Sequence, residues 1–84
     1  RAAVFPNPAN NDDVKLRLAT GNRTSQVSVH IYDASGRLYV INEFDPEDLI
    51  SASRITGTED MPQGLYLVKI YQGNQKMSLR LVIR

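Results

Sequence analysis

Apolar and polar residues alternate along most of this chain. Val14, Leu16 and Leu18 are separated by Lys15 and Arg17, and Val27, Val29 and Ile31 by Ser28 and His30. Leu38 and Val40 flank Tyr39 behind Arg37. Met77, Leu79, Leu81 and Ile83 alternate with Ser78, Arg80 and Val82. A period of two sends successive side chains to opposite faces of an extended strand, so each run reads as a strand with one buried face. Breakers separate the runs: Pro6-Asn7-Pro8, Gly21-Asn22, Asp33-Ala34-Ser35-Gly36, Gly57, Pro62 with Gly64, and Gly73-Asn74. Short strands with such frequent turns predict an all-β chain. The expected fold is an antiparallel immunoglobulin-like β-sandwich of about seven short strands, with a small barrel as the alternative.

Two turns can be read in detail. In Asp33-Ala34-Ser35-Gly36 the aspartate suits the first position of a type I turn, its carboxylate accepting a backbone N–H. Gly36 can take the left-handed conformation that follows. In the last hairpin a two-residue Gly73-Asn74 loop sets Tyr66 opposite Leu81, Val68 opposite Leu79 and Ile70 opposite Met77. Those six then share one face. Leu65, Leu67, Lys69 and Tyr71 share the other with Val82, Arg80, Ser78 and Lys76. A slip of one residue would mix the two sets, so pattern and turn agree on register.

The middle is less regular. Asp45-Pro46-Glu47-Asp48 resembles a helix start, with Asp45 as cap, Pro46 in the first turn and acids near the positive end of the dipole. Leu49 and Ile50 would close one short turn before Ser53-Arg54-Ile55-Thr56 resumes a strand.

Size and composition narrow the picture. The 84 residues make one small domain. Its stability is expected near the low end of the usual range, about 5 kcal/mol. There is no cysteine, so neither a disulfide framework nor thiolate chemistry is available. No run approaches the ~18 apolar residues of a membrane helix, so direct membrane insertion by a helix is not expected. The start, Arg1 to Pro6, is too short and too soon broken by proline for a signal peptide. An exported protein would therefore carry its address upstream of this chain.

The net charge of +1 hides a segregation. Residues 43–60 carry Glu43, Asp45, Glu47, Asp48, Glu59 and Asp60 against Arg54 alone, whereas residues 64–84 carry Lys69, Lys76, Arg80 and Arg84 with no acid. The simplest expectation is that the acidic middle and the basic hairpin complement each other, both well solvated.

Candidate chemistry is sparse. His30 is the only histidine, on the polar side of its strand, where an exposed ring is expected. A catalytic or metal-binding histidine needs partners that the chain does not supply. No phosphate-cradling glycine motif, nucleophile elbow or zinc spacing is present, so no catalytic, cofactor-binding or metal residue is assigned. Asp45, Glu47, Asp48, Glu59 and Asp60 could offer oxygen ligands to calcium if their loops met, but EF-hand spacing is absent, and a solvated acidic loop is the plainer reading. Nucleic-acid binding would rest on Lys69, Lys76, Arg80, Arg84 and Tyr71, too few for a domain of this charge. The outward face of the last hairpin is more informative. Leu65, Leu67 and Val82 are apolar there, beside Arg80 and near Arg84. It is either a docking surface or the seat of a neighbouring element.

Three motifs occur in order: Val4-Phe5-Pro6-Asn7-Pro8-Ala9, then Val29 to Leu38 through Asp33-Ala34-Ser35-Gly36, then Met61-Pro62-Gln63-Gly64-Leu65-Tyr66 to Ile70. A basic and apolar ending follows, Arg80-Leu81-Val82-Ile83-Arg84. Together they resemble the type A C-terminal sorting domain of the type IX secretion system of Bacteroidota, over essentially the whole chain. Phe5, Met61 and Arg80 are small departures, and the acidic stretch Glu43 to Asp60 matches no motif of the family.

The resemblance implies a single, non-enzymatic sorting domain over residues 1–84, carried behind a larger cargo. It implies passage through the periplasm and the outer-membrane translocon to the cell surface or the medium, with no cofactor. The implied partners are the translocon and its shuttle components, the upstream cargo, and a sortase-like peptidase that often removes the domain. Such a cut would fall near or before Arg1. Pro6, Asn7, Pro8, Asp33 and Gly36 carry the family motif. Pro6 and Pro8 are expected to stiffen an extended approach to the domain. The residues expected to be read are Gly64, Leu65, Tyr66, Leu67, Arg80, Leu81, Val82, Ile83 and Arg84. Each of three has a plainer role as well: Gly64 shaping a turn, Tyr66 filling the core, Arg84 supplying a terminal charge. The alternative function is a structural or ligand-binding immunoglobulin-like accessory module of a surface protein. It would favour exposed aromatics on one flat face, drawn from Tyr32, Tyr39, Tyr66 and Tyr71.

Overall fold

A computed structural model describes residues 1–84. Seven strands form: β1 (Ala2–Phe5), β2 (Lys15–Leu18), β3 (Val27–Asp33), β4 (Leu38–Phe44), β5 (Ser53–Arg54), β6 (Gly64–Gln72) and β7 (Gln75–Ile83). They build a three-stranded sheet, β1-β2-β5, and a four-stranded sheet, β4-β3-β6-β7, with every named pairing antiparallel. This is the expected sandwich rather than a closed barrel. The fourth strand joins the sheet of β3, β6 and β7 instead of the sheet of β1, β2 and β5, a variation within the immunoglobulin-like plan. No helix is long and apolar enough to cross a membrane.

The core follows the alternation. Val14, Leu16 and Leu18 from one layer meet Val27, Val29, Ile31, Val68, Ile70, Leu81 and Ile83 from the other, all fully or almost fully buried. The β6–β7 register is the one required by the Gly73-Asn74 turn, with Tyr66 opposite Leu81, Val68 opposite Leu79 and Ile70 opposite Met77. Gly73 sits at φ +57, a conformation open to glycine at little cost. The 33–36 turn also forms as its residues dictate. Asp33 Oδ1 accepts from the N–H groups of Ser35 and Arg37 and from the Ser35 hydroxyl, and Gly36 takes φ +92.

Several expectations are corrected. Leu38 does not share the inward face of Val40. A bulge at Ile31/Tyr32 leaves Tyr32 opposite Leu38, so Leu38 points out and the extra residue, Tyr39, packs edge-on against Tyr66 with centroids 5.7 Å apart. The 46–49 segment forms the expected single short turn, of 3-10 type, with Pro46, Glu47 and Asp48 in its first turn, but the Asp45 side chain makes no cap hydrogen bond. The strand after it is only Ser53–Arg54; Ile55 adds one backbone hydrogen bond to the Val14 carbonyl, and Thr56 bonds to a side chain instead. The acidic middle and basic hairpin form no ion pairs with each other; the one ion pair is Lys15–Asp13 at 2.7 Å.

Side-chain amides close the sandwich. Asn7 donates to the Arg80 carbonyl and accepts from the Val82 N–H, both at 2.9 Å, like an extra peptide group on the free edge of β7. Ala9 continues the pairing, donating to the Val82 carbonyl and accepting from the Arg84 N–H. Residues 6–9 are therefore no stiff approach to the domain. They lie on its last strand, and the residues before them form β1. Asn42 pairs in the same manner with the N–H and carbonyl of Thr56, joining the β4 edge to the segment after β5. Asn11 donates to the Glu59 and Met61 carbonyls, and buried Gln72 holds the carbonyls of Asn22 and Ser25. Near the start of β6 the Tyr66 hydroxyl donates to the Pro62 carbonyl, in the manner of the tyrosine corner of such sandwiches.

Two predictions follow from these contacts. Replacing Asn7 with Ala removes two hydrogen bonds and is expected to lower stability by about 1–2 kcal/mol. That is a fall of roughly 4–16 °C in Tm. Hydrogen exchange at the Val82 amide separates this from general loosening: protection is lost in Asn7→Ala and kept in Asn7→Asp, which retains the acceptor. The second concerns pH. Hydrogen bonds from Ser35, then from the Arg37 backbone, hold the Asp33 carboxyl below its ordinary 3.8. A lowered folded pKa stabilises above the unfolded value and is lost as pH falls through the folded one. The stability margin of the wild type over Asp33→Asn in urea titrations should be full above 3.8 and shrink below it.

Candidate functional site

The four-stranded sheet has one face on the core and one face bare. Opposed residues share a face, so the outward set can be read from the register. Across β4, β3, β6 and β7 it includes Leu38, Ile41, Tyr32, His30, Leu65, Leu67, Lys69, Tyr71, Arg80 and Val82. Ile41 is 54% exposed, Leu65 50%, Leu38 44% and Val82 39%. Fully burying one aliphatic side chain of this kind is worth about 1.5–3 kcal/mol. Single exposed aliphatics are common, but four on one face of an 84-residue domain form a surface suited to docking.

Electrostatics adds to this. Lys69, Lys76, Arg80 and Arg84 have no carboxylate within ion-pair distance. The Lys69 ammonium stands 5.5 Å from the centre of the Tyr32 ring. Glu43 is the one acid among the outward strand positions; it lies opposite Ser28 and makes no ion pair. The face is thus apolar with uncompensated cations.

His30 sits at its middle, between Ile41 and Lys69. Its ring is half-buried rather than exposed, because Ser28 Oγ lies 3.0 Å from Nε2 and the Tyr32 hydroxyl 3.3 Å from Nδ1, with the Tyr71 ring edge-on at 5.0 Å. Serine and tyrosine hydroxyls are its only polar partners, with no carboxylate to orient the ring. No group of three His, Asp or Glu side chains gathers anywhere, so the acidic loops do not meet to form a calcium cage.

The residues expected to be read divide into two sets. Leu65, Leu67, Arg80 and Val82 point outward and lie together, and Arg84 is exposed beyond the end of β7. Tyr66, Leu81 and Ile83 are buried, and their side chains hold the sheet to the core. Gly64 pairs with Ile83 at the start of β6. Burial, then the neighbouring Tyr39 and Asp33, push the Tyr66 phenol above its ordinary 10.0, as suits a hydroxyl kept neutral to donate to Pro62. Of the motif residues, Asn7 clamps β7 and Asp33 with Gly36 builds the turn beside the face. Pro6 and Pro8 follow cis peptide bonds in the loop that carries Asn7.

Sequence reasoning missed Leu38 and Ile41. The bulge hid the first, and Ile41 breaks the alternation of its own strand. Tyr39 and Tyr66 turn inward, which leaves only Tyr32 and Tyr71 for the flat aromatic face that the accessory-module alternative required.

Comparison with curated proteins found no match. Among solved structures the chain is similar to one described as dimeric latent PorU from Porphyromonas gingivalis, with a TM-score of 0.67 and 18% identity. The match covers 98% of this chain and 9% of that one, and at this identity it supports the fold. A family model described as the secretion system C-terminal sorting domain matches residues 3–84. With the three ordered motifs and the seven-stranded sandwich, this shows that the chain belongs to the type IX C-terminal sorting domain family, whose members are sorting signals.

Proposed function

We propose that residues 1–84 act as one folded address label behind a larger cargo, and that the secretion machinery reads the outward face of β6 and β7. The observation that carries this reading is the bare sheet face, where exposed Leu65 and Val82 lie beside unpaired Arg80. A face built on paired strands is already in its bound shape, so docking costs less ordering than it would for a loose tail. Arginine beside aliphatic anchors is a favourable composition for such a patch. The buried Tyr66, Leu81 and Ile83 contribute by holding that face rigid.

The translocon and its shuttle components are the proposed readers, and a sortase-like peptidase the proposed remover. The route runs through the periplasm to the cell surface or the medium. Strand β1 begins at Ala2, so a cut that leaves the sandwich intact must fall at or before Arg1. PorU, whose 9% share resembles this chain, is one protein that contains such a sandwich; the cargo here is a separate matter.

The test fuses residues 1–84 behind a periplasm-targeted reporter in a type IX-competent host. The wild-type label should bring the reporter to the surface. A Leu65→Ser/Val82→Ser variant and Arg80→Ala should fold normally yet cut surface delivery about 10-fold, equivalent to ~1.4 kcal/mol of lost recognition. Circular dichroism of the purified variants checks folding. Delivery at the wild-type level by folded outward-face variants would overturn the reading.

A further inference from the structure

An open groove of about 500 Å³ crosses the outward face between the 33–36 turn and strands β6 and β7. Tyr32, Leu65 and Leu67 supply apolar lining, and Lys69 and Arg80 line it as well. Asp33 is the one acid in the lining, and its Oδ1 already holds three donors, from Ser35 and Arg37, at 2.7–2.9 Å. Lys69 and Arg80 are free of any carboxylate. The groove therefore offers a greasy strip with Arg80 across from Leu67 and Lys69 at its end, neither cation paired with a carboxylate.

The geometry points to an extended segment of a partner protein as the occupant, with an apolar residue and an acidic residue two positions apart. On β6 the outward residues Leu65, Leu67 and Lys69 recur at every second position, about 7 Å apart. An extended ligand has the same period, so an apolar-x-acidic pattern sets its apolar side chain over Leu67 while its carboxylate meets Lys69 and Arg80. Arginine can take that carboxylate through two parallel hydrogen bonds. A second copy of this face is a poor occupant, since it would bring the same cations into opposition. The proposal rests on the docking reading above and names the chemistry of the docked segment.

The probe is the capped peptide acetyl-Leu-Ser-Leu-Ser-Glu-amide, with versions ending in Gln and Lys as controls. Each is titrated into the ¹⁵N-labelled 84-residue chain and followed by amide chemical shifts. The Glu peptide should move Leu65, Leu67, Lys69 and Arg80, bind about tenfold tighter than the Lys peptide, and weaken at high salt. A Lys69→Glu/Arg80→Glu variant should reverse the ranking, with unchanged shifts on the opposite sheet as the folding control. Shifts elsewhere, no shift at all, or a ranking unaffected by charge reversal would overturn the proposal. If the peptide fails while outward-face variants still block delivery, docking stands and this occupant falls. If the peptide binds as stated and delivery is indifferent to the face, the groove stands and the docking reading falls.

Discussion

The register of the β6–β7 hairpin is the constraint on which the rest of the structure depends. β6 is paired on both sides, along its full length with β7 and over seven residues with β3. Moving it by one position would turn Val68 and Ile70 to solvent and bring Lys69 into the core, an arrangement with no compensating charge. The two-residue turn at Gly73 rules out that slip, because only one alignment closes a hairpin across it. Everything that makes the molecule specific follows from that choice. It sets which residues meet β2 across the core, and it sets which ones remain outside.

The same strands therefore present two unlike faces. Inward residues fill the core, and the outward ones leave four aliphatics and the cations of the hairpin at the surface. The four exposed aliphatics keep about half of their surface in water, and the hairpin cations have no carboxylate partner. The acidic middle does not answer the basic hairpin, although composition alone suggested that it would. With no internal counter-charge, Lys69 and Arg80 remain available to a partner, and their attraction is strongest at low ionic strength.

Much of this was legible in the sequence, for identifiable reasons. Period-two alternation located most strands, and the Asp33–Gly36 and Gly73–Asn74 turns carry their geometry in their residue types. What escaped were features that no period encodes. The bulge at Ile31/Tyr32 depends on pairing with a partner strand and reverses the faces of Leu38 and Tyr39. The amide clamps of Asn7, Asn11 and Asn42 join residues far apart in sequence, and an asparagine in a loop looks the same whether it holds a distant strand or faces water. Gln72 is buried for the same kind of reason, since its amide gathers two carbonyls of a loop some fifty residues away. Even the two prolines around Asn7, conspicuous as a motif, suggested a spacer when their loop is in fact a fastening.

That fastening bears on timing. Asn7 and Val82 are 75 residues apart, so the bond between them can form only once β7 is present. In a chain released from its amino end, β1 can pair with β2 early, but the Pro-Asn-Pro loop has no strand to hold until β7 arrives. Such long closures are slow compared with local hairpins. A label truncated ahead of β7 would never complete its sheet, and it would also lack the strand that carries Arg80 and Val82. Closure of the sandwich therefore waits on β7, because both hydrogen bonds of the Asn7 amide go to that strand.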